Sequence, residues 1–304
     1  MVESGLSSVN IEITTQCPIG CPFCYCRTNK HQHMDVQKAI YWVNQAVSHG
    51  VTTVMLSGGE PMCYPHLEEV VHEAHKECGH VVLSTSGYGL TKEKLHSLKR
   101  AGLDGIFVSL NGSLEEIHSM SRNGFQITMS ALELIRQERF HQFAINYVLM
   151  RNNADDFDNM LALAEQYGAD TLSVLSLKPD VSNHMGSPPT QAQLCNIAER
   201  IANHHGKCDV YVEGCYPELV RLVRTQMERK GIRSNLIYRC NAGIHTFSVG
   251  IDGKVAPCRH LPFSEERETL EDYLRNSTVL EMLRQRKDCE REITCTAIPM
   301  ARNL

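Results

Sequence analysis

The strongest constraint on this chain is a steady alternation of two hydrophobic periods. Short runs rich in Val, Ile and Thr near 10–14, 51–56, 80–85, 105–110, 142–149 and 171–177 read as strands. Between or after them, near 35–49, 65–78, 91–101, 126–139, 155–167 and 190–205, apolar residues recur at helical spacing. In the first helix Asp35 can cap the N-terminus, Val36, Ile40, Val43 and Val47 share a face, and Gly50 follows as a stop. Leu67, Val70, Val71 and Ala74 form the apolar face of the second, and Thr190 with Gln193 makes a capping box for the sixth. Six βα units in succession predict an α/β fold with parallel strands and right-handed crossovers, either doubly wound or curled into a partial barrel. With 304 residues, 42% of them hydrophobic, the chain has ample material for such a core.

After about residue 206 the rhythm breaks. A strand-like run at 208–213 ends at Gly214-Cys215, and a helix follows near 217–229. Runs at 244–250 and 254–257 flank Asp252-Gly253, a hairpin signal, and one last helix spans roughly 269–287. The expected organisation is a βα domain over 1–205 and a small α+β appendage over 206–304.

Charge excludes some functions. Thirty Lys and Arg against thirty-five Asp and Glu leave a net charge of −5, which gives no nucleic-acid footprint. No uncharged run approaches the roughly 20 residues of a membrane helix, and the N-terminus lacks a signal-peptide pattern. A cytoplasmic protein is the expectation. The thirteen cysteines are out of proportion, because a chain this long needs no disulfide scaffold and an odd number cannot fully pair. Metal or redox chemistry is the natural use of some of them.

Three of these thiols fall within eight residues, in Cys17-Pro18-Ile19-Gly20-Cys21-Pro22-Phe23-Cys24, directly after the first strand. Loops after the C-terminal ends of parallel strands are where βα folds place their active sites. Three thiolates can hold three irons of a [4Fe–4S] cube and leave the fourth open. The competing reading is structural zinc, which would need a fourth close ligand, and no second C-x-x-C exists.

The spacing C-x3-C-x2-C with Phe23 before the last cysteine resembles the signature of the radical S-adenosylmethionine (radical SAM) superfamily. Ser57-Gly58-Gly59-Glu60-Pro61, at the end of the second strand, resembles its GGEP segment. The resemblance covers about residues 9–205 and implies a six-stranded partial (βα)6 TIM-like barrel. It implies that Cys17, Cys21 and Cys24 ligate a [4Fe–4S] cluster whose open iron binds S-adenosylmethionine. Gly58 and Gly59 would let backbone approach the methionyl end, Glu60 beside Pro61 would accept a hydrogen bond from its ammonium, and Phe23 would pack near adenine. Reductive cleavage would then give a 5′-deoxyadenosyl radical that abstracts hydrogen from a substrate carbon, with electrons from a donor such as flavodoxin or ferredoxin. Ser86, Ser109 and Asn111, at later strand ends, resemble polar segments that contact the ribose and carboxylate, and Ser176 is a further candidate.

Cys240-x12-Gly253-x4-Cys258 resembles the opening half of the auxiliary-cluster domains called SPASM and twitch. Their continuation, C-x2-C-x5-C-x3-C, is matched here at Cys289 and Cys295 only, with Arg286 and Pro299 at the other two places. The resemblance therefore implies one auxiliary [4Fe–4S] cluster on Cys240, Cys258, Cys289 and Cys295. Cys215 is a candidate hydrogen donor. Cys63, Cys78, Cys195 and Cys208 read as packing residues, and Cys26 as a bystander. His72, His75 and His80 read as solvated, His31 and His33 as able to reach the cavity, and Arg259-His260 as surface residues or neighbours of the auxiliary centre. The acidic segment from Glu265 to Asp272 opens a helix and offers a surface for a cationic substrate.

Three functions compete. The first is maturation of a ribosomally made peptide by cross-linking, epimerisation or oxidation. The second is a small-molecule epimerase or dehydrogenase of the aminoglycoside-pathway kind. The third is a zinc-stabilised, non-catalytic binding module, against which the GGEP-like segment argues. Only 16 residues precede Cys17, so a peptide-recognition domain is not expected on that side.

Overall fold

The computed structural model describes residues 5–24, 31–140, 142–178, 186–232, 241–261 and 264–285, with residues 284 and 285 described by backbone only. The six expected βα units are all there: β1 (Ser8–Thr14), α1 (Val36–Val47), β2 (Thr53–Gly58), α2 (Leu67–Cys78), β3 (Val81–Thr85), α3 (Lys92–Ala101), β4 (Gly105–Ser109), α4 (Glu115–Ser119), α5 (Phe125–Glu138), β5 (Gln142–Leu149), α6 (Phe157–Tyr167), β6 (Thr171–Ser176) and α7 (Gln191–Ala202). The chain continues through β7 (Asp209–Val212), α8 (Pro217–Arg229), β8 (Thr246–Val249), β9 (Val255–Ala256), α9 (Leu270–Asn276) and α10 (Thr278–Gln285).

The strands form one sheet in the order β7-β6-β5-β4-β3-β2-β1-β8-β9, parallel throughout except for the β8–β9 hairpin. Among the described residues nine strands thus share one sheet, where a six-stranded partial barrel and a separate appendage were expected. The additional ones come from the segment beyond residue 206: β7 extends the sheet beside β6, and β8 returns to the opposite edge beside β1. Sequence periodicity finds such strands but not their partners, since pairing is a long-range choice.

Strands buried on both faces explain the near-continuous apolar runs, such as Val81-Val82-Leu83 in β3. One apolar cluster gathers β1, β2, α1 and α2 with Phe247, Val249, Tyr273 and Leu280 of the C-terminal segment. A second gathers β4–β7 with α5–α8. The C-terminal hairpin and helices therefore bury their apolar residues against the first βα units.

Local detail departs from expectation in three places. In α1 the buried face is Ala39, Trp42, Val43 and Ala46, with Val36, Ile40 and Val47 only flanking it, because the large Trp42 side chain turns inward. Asp35 caps that helix as expected, accepting from Lys38 N, and the Thr190–Gln193 capping box forms on α7. The last helix is two helices: Ser277 is extended (ψ 119°), and its Oγ accepts from Leu280 N at 3.0 Å, so it caps a new start. The short helix α4 has no counterpart in the sequence reading.

Candidate active site

The end of β1 builds the cysteine loop. The register with β2 shifts between Glu12 and Thr14, and the neck of the loop is then clamped. Thr15 N donates to Gln32 O at 2.9 Å and Met34 N to Ile13 O at 2.9 Å. Thr14 Oγ1 accepts from Gln16 N at 3.0 Å and donates to Gln32 O at 3.2 Å. Inside the loop Cys24 N donates to Cys21 O at 3.1 Å, and Gly20 N donates to Asn123 Oδ1 at 2.8 Å.

The glycines after β2 lie against this neck. Gly59 N donates to Thr14 O at 2.6 Å and Glu60 N to Gln16 O at 2.7 Å. Gly58 has φ +124°, and a Cβ there would collide with the Thr14 carbonyl oxygen; a Cβ at Gly59 would collide with that of Gln16. The close approach these glycines permit in the structure is thus to the backbone leading into the cysteine loop. Glu60 is 1% exposed. Its carboxylate accepts from Thr85 Oγ1 at 2.6 Å, Ser86 N at 2.8 Å, Met62 N at 3.2 Å and Ser86 Oγ, joining the ends of β2 and β3. Burial pushes its carboxyl pKa above the usual range against the pull of these donors.

Cys17, Cys21 and Cys24 all line one cavity of about 330 Å³, together with Phe23, Gly58, Gly59 and Glu60. Ser86 and Ser109 line it as well, as does Ser176. Pro61, Asn111, Cys215 and Cys258 are not among the lining residues. Pro61 is buried at the start of a 3₁₀ turn. Asn111 is fully buried: its Nδ2 donates to Ser121 Oγ at 3.1 Å and its Oδ1 accepts from Val148 N at 3.1 Å, so its amide holds the wall from behind. Cys258 is half-buried just beyond β9, and Cys240, Cys289, Cys295 and Cys26 lie outside the described residues.

Among the described residues, no three His, Cys, Asp or Glu side chains are placed to hold one metal ion. A four-iron cube asks for something different, with each thiolate on a separate iron, and three thiols of one loop facing one cavity suit that demand. Burial, followed by Glu60 and the two neighbouring thiols, pushes the Cys17 thiol up to about 11 against a backbone hydrogen bond from Ile19. It stays protonated at neutral pH until a cationic centre displaces the proton.

The opposite wall was missed in sequence. Lys178 follows β6 and Glu213 follows β7; both line the cavity, and Lys178 Nζ donates to Glu213 Oε2 at 2.6 Å. Opposed to the cost of burial, the Lys178 ammonium holds the Glu213 carboxyl at about 2. Arg259 and His260 line the cavity from the C-terminal segment, where the sequence pointed to the surface or to an auxiliary centre. Arg122, just after α4, also lines it, with a buried Nε that has no hydrogen-bond partner among the described residues. Lys178 and Glu213 could have been found by extending the strand-end rule to every strand; Arg122 could not, because its helix was not recognised. Of the histidines, His31 lines the cavity, His33 packs on Tyr64, and His80 is half-buried, bonded to Thr53 and Gln142. Glu265 is engaged by Arg267 and Ser277.

A cysteine loop and a glycine turn on adjacent parallel strand ends, facing one cavity, define an iron–sulfur enzyme of the βα class. Residues 11–164 match the model of the Radical SAM superfamily, and the chain belongs to that family. The family's cofactors, a [4Fe–4S] cluster and S-adenosylmethionine, are therefore this chain's. It is 26% identical over 266 residues to the AdoMet-dependent heme synthase of Methanosarcina barkeri, covering 83% of this chain and 76% of that protein. It is 34% identical over 169 residues to the PqqA peptide cyclase of Ruegeria pomeroyi, 54% of this chain and 45% of the relative, so the match spans less than half of that protein. Solved structures share the fold, among them the following two. Streptococcus suis SuiB bound to precursor peptide SuiA aligns with TM-score 0.79 at 14% identity, over 98% of this chain and 73% of that one. The structure of anSMEcpe with bound AdoMet aligns with TM-score 0.68 at 15% identity, over 96% and 92%. No helix among the described residues is long and apolar enough to cross a membrane.

Proposed function

We propose that this radical SAM enzyme modifies a ribosomally synthesised peptide, by cross-linking, epimerisation or oxidation at a carbon presented to the 330 Å³ cavity. The observation that carries the reading is the cavity's two-sided construction: three thiols on one wall and a fixed charge pair on the other. Likeness to a PqqA peptide cyclase, and a fold shared with a structure that holds a precursor peptide, support a peptide as substrate. When bound, the cluster and S-adenosylmethionine supply a 5′-deoxyadenosyl radical for hydrogen abstraction.

The chain's own residues bind and orient. Cys17, Cys21 and Cys24 hold the cluster. Arg122 offers its Nε to the carboxylate of S-adenosylmethionine, and Phe23 packs near the adenine. Glu60 secures the strand ends behind them. The polar far wall, Lys178, Glu213, Arg259 and His260, orients the substrate. Cys240, Cys258, Cys289 and Cys295 ligate one auxiliary cluster in a twitch-like C-terminal unit (206–304), and a flavodoxin or ferredoxin in the cytoplasm supplies electrons. A small-molecule substrate is the second reading, favoured by the heme synthase match over most of the chain.

The test is anaerobic reconstitution of the full chain with iron and sulfide, reduction, and addition of S-adenosylmethionine. Release of 5′-deoxyadenosine is expected, accelerated by a short peptide encoded beside the gene, which should emerge altered in mass or deuterium content. Stoichiometric zinc with no iron, or no nucleoside, would overturn the enzyme reading. Acceleration by a small metabolite but by no peptide would select the second.

A further inference from the structure

The far wall brings a lysine and a cysteine together. Register between β6 and β7 sets Val174 beside Val212, so the residues just past the two strand ends converge. Lys178 Nζ donates to Ser176 Oγ at 2.5 Å and to Glu213 Oε2 at 2.6 Å, and it lies 2.7 Å from Cys215 Sγ. The side chains of Lys178 and Glu213 are 12% and 19% exposed. The sulfur distance stands apart. Sulfur is larger than oxygen, and His260 N to Cys258 Sγ is 3.4 Å, while Gln191 Nε2 to Cys195 Sγ is 3.8 Å. Lys178 and Cys215 are as close as two atoms joined through a single bridging atom. Lys178 lines the cavity and Cys215 is half-buried behind it, so a small diatomic gas can reach the pair.

We propose that Lys178 and Cys215 are an oxygen-responsive modification site, at which dioxygen joins Nζ and Sγ through one oxygen atom. The balance is one amine, one thiol and one dioxygen giving an N–O–S bridge and one water. One N–H, the S–H and the O–O bond break; an N–O and an O–S bond form. Nitrogen and sulfur together lose four electrons, and dioxygen gains four. The further proton that the ammonium sheds leaves through the Glu213 carboxylate to solvent. Sulfur at this oxidation level is reducible by thiols, as the first rung of cysteine oxidation is. The bridge removes the positive charge from Lys178 and leaves Glu213 without its counter-charge, so the far wall changes while the three cluster thiols are untouched. The inference stands independently of the substrate proposed above.

The test uses the full chain purified without oxygen and divided, with one half exposed to air. Both halves are capped with N-ethylmaleimide, digested and analysed by mass spectrometry. The expected product of exposure is a cross-linked pair of peptides containing Lys178 and Cys215, heavier than their sum by one oxygen and lighter by two hydrogens. It should vanish after dithiothreitol and be lost in Cys215→Ser. Lys178→Arg keeps a cation for Glu213 while removing the primary amine, and it too should yield no cross-link. Cys215 recovered only as its maleimide adduct, as a sulfur oxide without a cross-link, or joined to Lys178 with no added oxygen would overturn the proposal.

Discussion

The two walls of the cavity solve opposite electrostatic problems. On the β1–β2 side burial disfavours charge on the protein's own groups: the Cys17 thiol is pushed up to about 11, and the neck of the loop is set by backbone hydrogen bonds. On the β6–β7 side the charges satisfy each other, with Lys178 engaging Ser176, Glu213 and Cys215 at once. A wall that awaits a metal must hold its shape without the metal-binding groups. A wall that orients a substrate can be held by the groups themselves. The first therefore depends on glycine at 58 and 59, and the second on keeping an ion pair intact.

The contrast is sharpest in the largest expected effect. Cys24→Ala should abolish 5′-deoxyadenosine release and lower bound iron, whereas Lys178→Arg should leave both near the parent level and affect only substrate turnover. Parallel iron assays and nucleoside chromatography decide it; equal loss in both variants would erase the division of labour. Next, Glu213→Ala should cost about 3–5 kcal/mol in urea unfolding, because it strands a buried ammonium. Replacing the pair together by Glu213→Leu and Lys178→Met should recover most of that loss. On the other wall, Gly59→Ala should cost more than about 1 kcal/mol, since a Cβ meets the backbone at Gln16, and should reduce iron uptake in the same preparation.

The smallest effect is with pH. His118 is fully buried behind Arg122; burial first, then the Arg122 charge, lowers its pKa from 6.5 to about 4. The folded state thus binds fewer protons than the unfolded chain between these values. Stability should fall as pH drops from about 6.5 through about 4, and His118→Asn should flatten that slope in urea titrations. Glu213, depressed from 4.5 to about 2, adds a further loss below about 4.5. A wild-type slope unchanged in the His118 variant would show that other groups carry the acid sensitivity.

Most of the βα order was legible because period and capping are local. Asp35, Thr190 and the apolar face of α2 read the same way in sequence and structure. The break at Ser277 was not legible, because the apolar spacing runs on through it and only the extended backbone there restarts the helix. The near wall was readable because its cysteines and glycines sit within two short segments. The far wall was legible only in part, at Ser176, because Lys178 and Glu213 lie 35 residues apart and meet only when β7 joins β6.

By itself the sequence determined the alternating βα framework, the cysteine loop at the first strand end and the glycine turn at the second, since each is encoded by neighbours along the chain. Tertiary structure alone decided that β7 and β8 extend opposite edges of one sheet, that Glu60 spends its carboxylate on Thr85 and Ser86, and that Lys178 meets Glu213 and Cys215. Strand pairing across long separations brings those groups together, and no local pattern records it.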